Sequence, residues 1–227
     1  MTDFVDMEKN KKIQNMLLGR SGFFFEQVII TPIESAYFSL LQKLSCYDEI
    51  KTSFFLNACF KVNDNASGIL ICVPQGIGAQ DIMYALFKSN VIFFGFCGSF
   101  NSLLQIGKVV EVDRAIDENG GQYLLAKTGK FPESICGYSP CLLGEIAKKY
   151  TAKARSLGCN VIDMETVYCA KAAIINSNEF IAWLLITDIP GEIELWNIDE
   201  DTRRLSNEGY NKALDVLANY VQKQDVN

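Results

Sequence analysis

The chain has 227 residues and a mass of 25.4 kDa, which suits one large domain, and no linker interrupts it. Hydrophobic residues make up 49% and charged residues 21%, so global disorder is excluded. With a formal charge of −6 and no basic run beyond the lysines at 9–12, the chain offers no face for nucleic acid or an anionic membrane. It has no histidine, which removes every Ser-His-Asp, Cys-His and His-metal mechanism.

Residues 1–22 read as a polar N-terminal extension with a helix over 7–18, ahead of a single domain over 23–227. In that domain a buried strand is predicted over 27–31. A helix over 34–45 follows, with Tyr37, Leu40, Leu41 and Leu44 at helical spacing. Strands over 54–62 and 68–73 precede a helix over 79–89 that carries Ile82, Met83, Leu86 and Phe87. Further strands are expected over 91–96 and 109–116. The stretch 117–139 is the least regular, with Asn119-Gly120-Gly121 as a hairpin turn. A helix over 142–157, a strand over 161–164, a helix over 165–175 and a strand over 180–187 come next. The last helix, over 202–223, places Tyr210, Ala213, Leu214, Leu217, Tyr220 and Val221 on one stripe. Buried strands alternating with helices define a single-domain three-layer α/β/α fold around a central mixed sheet.

Eight cysteines at 46, 59, 72, 97, 136, 141, 159 and 169 include no Cys-x-x-Cys pair, and most sit in apolar stretches. They read as reduced thiols of a cytoplasmic protein. The acidic opening Met1-Thr2-Asp3-Phe4-Val5-Asp6 is unlike a secretory leader. The longest apolar runs, such as 91–94 and 181–186, are strand-sized and too short to span a bilayer.

In layered α/β folds ligands sit beyond the carboxyl ends of the strands, so the residues that close each strand carry the functional signal. Thr31-Pro32-Ile33-Glu34 reads as a capping box, or as a turn that leaves Glu34 at the crevice to accept a proton from water. Gly76-Ile77-Gly78 is a tight turn, or a place where backbone approaches a ligand. Gly95-Phe96-Cys97-Gly98 has two glycines in one turn, which favours the second reading there. In Asp163-Met164-Glu165-Thr166, Asp163 caps a helix, or a carboxylate takes two hydrogen bonds from a vicinal diol. In Thr187-Asp188-Ile189-Pro190, Asp188 forms a turn, or is an acid half-buried against Trp183 or Trp196.

Taken in order over about residues 27–222, these five turns resemble the nucleoside phosphorylase and nucleosidase superfamily, and most closely its hydrolytic branch, which includes methylthioadenosine/S-adenosylhomocysteine nucleosidase and futalosine hydrolase. The distinctive pair is Met164-Glu165 followed by Thr187-Asp188 after the next strand. The resemblance implies that Glu165 holds ribose hydroxyls, Met164 packs under the sugar, Asp188 protonates the purine leaving group, and Glu34 activates water. It also implies that Gly78, Phe96, Thr187, Cys141 and Leu142 contact the substrate, a purine nucleoside or 5′-substituted adenosine, with no metal or organic cofactor. Phosphorylases of this family resemble Arg-x-Gly-Ser-Cys-Gly at the third turn, where this chain has Phe93-Phe94-Gly95-Phe96-Cys97-Gly98. Two phenyl rings give a phosphate no charge-assisted donor, so hydrolysis fits better. Phosphorolysis at another phosphate site and nucleoside binding without turnover stay open as alternatives. The segment around 138–142 offers no aromatic at 139–142 to stack on the base. Arg203 and Arg204 read as solvated surface of the last helix. The family implies a homodimer or larger assembly, for which Phe23-Phe24-Phe25 is a candidate contact unless a buried first strand accounts for it.

Overall fold

The computed structural model describes residues 7–20, 25–53, 55–63, 66–76, 78–141, 144–193 and 197–222. All five residues of β1 (Gln27–Thr31) are buried, as expected for a strand covered on both faces. It pairs in parallel with β4 (Ser67–Cys72) on one side and β5 (Asn90–Ser99) on the other. Beyond β4 the sheet continues antiparallel through β3 (Leu56–Lys61) to the edge strand β2 (Tyr47–Lys51). On its other side β5 runs parallel to β10 (Glu179–Asp188), and β10 is antiparallel to β6 (Val109–Ile116). Parallel pairs then lead from β6 to β8 (Glu133–Tyr138) and on to β9 (Val161–Asp163). β9 returns antiparallel to the last two residues of β5. Strands β5, β10, β6, β8 and β9 therefore close on themselves, while β1 to β4 extend outward as an open mixed sheet. β7 (Gln122–Leu124) forms a hairpin with β6.

Helices cover both faces, each over its own apolar cluster. One cluster includes Leu17 and Leu18 of α1 (Met7–Leu18), Ile82 and Met83 of α3 (Gly78–Ala85), and Val167 and Ala170 of α5 (Thr166–Ile175). The other includes Tyr37 and Leu40 of α2 (Glu34–Lys43) and Leu214 and Leu217 of α6 (Glu200–Gln222). α4 (Gly144–Ser156) packs on β8 at Gly137, where an added Cβ would stand 2.7 Å from the Ala154 Cβ. The three-layer mixed-sheet architecture expected from the alternation of elements is the one observed.

Several local expectations fail for physical reasons. No turn interrupts 95–98: β5 runs on to Ser99, and the glycines serve neighbouring rings. A Cβ on Gly95 would come within 2.6 Å of the Phe93 ring, and one on Gly98 within 2.6 Å of the Pro190 ring. The capping box at Thr31 does not form, because Thr31 is the last residue of β1 and Ile33 is the N-cap, with no side-chain cap bond. The Thr31 hydroxyl accepts the Ile33 N–H at 3.2 Å instead. α3 stops at Ala85, four residues before 89, because the Asn176 amide donates to the carbonyls of Met83, Tyr84 and Leu86 at 3.0, 2.9 and 2.8 Å. Those acceptors would otherwise continue the helix.

The hairpin at 119–121 forms, with Gly120 at φ +87 and the Asp117 N–H donating to the Gly121 carbonyl at 2.9 Å. β8 emerges from the stretch that had no regular pattern. Residues 7–20 pack on the domain: the Gln14 amide donates to Ala85 O at 2.9 Å, and the buried Arg20 reaches Asp48 at 3.0 Å and the Cys59 sulfur at 2.7 Å. Phe25 is buried, while Phe23 and Phe24 lie outside the described residues. All eight cysteines are free. Among the described residues no helix is long and apolar enough to cross a membrane.

Candidate active site

The sheet topology opens one crevice. β5 leaves β1 after the Ile30–Phe93 pair and is met by β9 only at Gly98. In the gap beyond the carboxyl ends of β1, β5, β9 and β10 lies a cavity of about 390 Å³. Its walls are Pro32 and Ile33 after β1, Phe96 to Gly98 on β5, Ser139 and Cys141 after β8, and Ile162 to Glu165 at the end of β9. Thr187 and Asp188 at the end of β10, with Pro190 and Gly191 after it, form another wall, and α4 closes the far side.

Two buried carboxylates share the floor. Asp163, 4% exposed, accepts the Thr166 N–H at 3.1 Å and the Thr166 hydroxyl at 2.5 Å, and the Cys136 thiol at 3.4 Å. It therefore takes up the first N–H of α5, whose N-cap is Glu165, while it lines the cavity. Glu165, 5% exposed, accepts the Gly76 N–H at 2.5 Å. Gly76 sits at φ +80, a left-handed conformation that lets its N–H turn toward Glu165. Burial pushes the Glu165 carboxyl upward and the Asp163 charge adds to this, while the Gly76 and Met164 N–H groups oppose it. Burial also raises Asp163, against the bonds from Thr166. The two titrate as a pair. Burial, reinforced by Asp163, keeps the nearby Cys97 and Cys136 thiols protonated.

Asp188 faces this pair from β10. It is half-buried and accepts the Thr187 hydroxyl at 2.9 Å. It lies opposite Gly98 in the β10–β5 register, where a Cβ would approach Asp188 Oδ2 to 3.0 Å. The expected packing against Trp183 does not occur. That side chain is fully buried in the core and donates its indole N–H to Glu111 at 2.9 Å, and Trp196 lies outside the described residues. Phe96 lines the cavity with its ring 6.2 Å from that of Tyr210. Phe93 is buried in the core, its ring 6.4 Å from that of Phe180.

The structure brings Asp188, Thr187, Glu165, Met164, Phe96 and Cys141 to one cavity. Glu34 is exposed on the first turn of α2, one residue beyond the lining residue Ile33, and is not itself in the wall. Burial, with the Glu34 charge adding to it, pushes the Cys72 thiol at the end of β4 up to about 11. Gly78 begins α3 outside the wall, and a Cβ added there would make only ordinary contact with Pro74 at 3.5 Å. In this turn Gly76 is the residue tied to the site. Leu142 lies outside the described residues. No aromatic occupies 139–141, and the Tyr138 ring packs on Tyr150 and Tyr168 instead. Sequence reasoning missed Lys148, Thr151 and Arg155, which line the cavity from α4. Their i, i+3, i+7 spacing marks one helix face, but nothing local to them says that the face is covered by a site. Arg204 pairs with Glu208 at 2.9 Å on the exposed side of α6.

The chain has the nucleoside phosphorylase-like α/β fold. It superimposes on 5′-methylthioadenosine/S-adenosylhomocysteine nucleosidase from Campylobacter jejuni with a TM-score of 0.70 and 14% identity, over 88% of this chain and 99% of that one. The enzyme of that class from Colwellia psychrerythraea, in complex with adenine, gives 0.68 and 13% over 88% and 95%. A futalosine hydrolase mutant from Helicobacter pylori gives 0.66 and 11% over 87% and 97%. No family model matches the sequence, and no curated protein matches it.

Proposed function

We propose that the protein hydrolyses the N-glycosidic bond of a purine nucleoside or 5′-substituted adenosine, releasing the free base and a ribose derivative. The observation that carries this is the meeting of Asp188 with the buried Asp163–Glu165 pair across one cavity at the carboxyl ends of the strands. The fold shared with nucleosidases at 11–14% identity supports it. Glu165 accepts hydrogen bonds from the ribose hydroxyls. Those donors favour its ionised form and offset the burial that raises it. Met164 packs under the sugar.

As the bond between the anomeric carbon and the base nitrogen breaks, its electron pair moves to the base. Asp188 delivers a proton to N7 of the purine. Water attacks the anomeric carbon and yields its proton to Glu34, whose flexible side chain turns in from the rim beside Ile33. Phosphorolysis is the weaker reading. The cations in the wall, Lys148 and Arg155, lie on α4, and Arg155 donates to the carbonyl of Pro190 beside Asp188, on the leaving-base side. An attacking phosphate would need them on the opposite face of the sugar.

The test is base release from methylthioadenosine, S-adenosylhomocysteine, adenosine, inosine and AMP, with and without phosphate. Expected is phosphate-independent release that Asp188→Asn lowers by about 100-fold or more, while Glu34→Gln loses turnover and keeps binding. Release only with phosphate would establish phosphorolysis. Binding without release by the wild-type protein would identify a non-catalytic nucleoside-binding protein.

A further inference from the structure

Among the residues in the cavity wall the charges are segregated. Asp163, Glu165 and Asp188 stand on the strand ends, and Lys148 and Arg155 stand on α4 with the Thr151 hydroxyl between them. Three side chains at i, i+3 and i+7 of one helix share a face, so this is a continuous wall of hydrogen-bond donors. Its place is set by the β10 turn. Arg155 Nη2 donates to Pro190 O at 3.4 Å, the Pro190 ring lies against Gly98, and Asp188 shares that contact. Arg155 and Asp188 therefore border the same end of the cavity, and Thr151 and Lys148 carry the donor wall on from there, one and two turns back along α4.

If Asp188 protonates the departing base, as proposed above, that end receives the base, and α4 faces the base edge. Adenine turns an exocyclic amino group outward there, whose hydrogens would confront an ammonium and a guanidinium. A 6-oxopurine turns an oxygen outward, and it accepts from them. The same oxygen takes up negative charge as the base leaves, so donors aimed at it gain strength in the transition state. Lys148 has a standing pair with Glu145 at 2.8 Å, but both side chains are largely in solvent, where such a pair is weak and readily exchanged. Arg155 is braced from behind by the Phe100 ring, 5.0 Å from its guanidinium carbon.

The geometry points to Lys148, Thr151 and Arg155 as the specificity-determining wall of this site, selecting a leaving base that presents an oxygen on its edge, a 6-oxopurine, over an aminopurine. This rests on the nucleosidase reading for which end holds the base. The experiment compares inosine with adenosine, and methylthioinosine with methylthioadenosine, on the wild-type protein, on Lys148→Met/Arg155→Gln, and on Arg155→Lys. Selectivity is read as the ratio of kcat/KM within each pair, and as the ratio of Kd by titration if there is no turnover.

Expected is a wild-type preference for the oxo member of both pairs of about tenfold or more. It should collapse toward unity in the double variant and be partly kept in Arg155→Lys. A preference for the amino member, a ratio the double variant does not move, or selectivity that follows the 5′ group would each overturn the inference. Oxo-selective binding without turnover would leave it standing while the hydrolase reading fails. Turnover without base selectivity would do the reverse.

Discussion

Gly98 has no room for a methyl group, and the reason lies at the end of β10. Its Cβ position falls 2.6 Å from the Pro190 ring and 3.0 Å from Asp188 Oδ2. Proline cannot swing aside as a flexible side chain would, so Gly98→Ala moves the carboxylate. Displacing an acid by about 1 Å costs on the order of 100-fold in rate. The expected outcome for Gly98→Ala is therefore a folded protein with kcat down by about that factor, checked by base release beside a circular dichroism spectrum. Activity within about twofold of wild type would show that the turn absorbs the methyl. At this scale the strand-end acids were legible because Met-Glu and Thr-Asp close strands with a clear apolar pattern. The reason for Gly98 was not. Its two neighbours lie 90 or more positions away in the chain, and a glycine reads the same whether it admits a ligand or a proline ring.

Helix α6 shows the same effect for a whole element. Gly209 sits in its interior, where glycine costs about 1 kcal/mol relative to alanine, yet a Cβ there would fall 1.9 Å from the Gly107 carbonyl oxygen. The helix thus lies backbone against backbone on the β5–β6 connection, where the Gly107 N–H donates to Ile186 O of β10 at 2.9 Å. The next residue, Tyr210, places its ring 6.2 Å from Phe96 in the cavity wall and its hydroxyl 2.9 Å from the Ser35 oxygen. Gly209→Ala should destabilise by about 1–3 kcal/mol in denaturant unfolding despite its better helix propensity, because a carbonyl cannot yield. A stabilised variant would mean that α6 shifts freely. Elements with a long apolar stripe or run, such as α6 and β10, were legible in the sequence. β2 was not, because its residues Tyr47–Lys51 are mostly exposed and polar at the sheet edge. The closed five-strand ring was not legible either, since it hangs on three residues of β9 pairing with two partners. The α4 wall escaped because attention to strand ends passes over helix faces.

Across the whole molecule, stability answers to pH through carboxylates that folding moves in opposite directions. Burial would raise Asp117, but Lys171, the Gly121 and Asn119 N–H groups and the Tyr123 hydroxyl outweigh it and hold it at about 2. Its contribution is present above the ordinary aspartate value and is lost as pH falls toward that lowered one. Asp163 and Glu165 behave inversely, because burial raises both. Below the ordinary carboxylate range of about 4, folded and unfolded chains are both protonated and the pair costs nothing. As pH rises the unfolded chain releases its protons first while the native pair retains them. The native state then binds more protons, and unfolding free energy falls with pH until the native groups ionise. Each unit of upward shift removes about 1.4 kcal/mol at pH values above both pKa values. The ligand-free protein should therefore lose melting temperature between about pH 4 and pH 7, from the ordinary carboxylate range up to the raised native values, and level off above that. Glu165→Gln, which keeps an acceptor for the Gly76 N–H and cannot ionise, should flatten that decline and raise stability at the alkaline end. Parallel slopes for the two proteins would mean that the pair ionises without penalty. The instability at neutral pH would then have to come from elsewhere, and the floor of the cavity would not be the strained, charge-poor site that burial makes it.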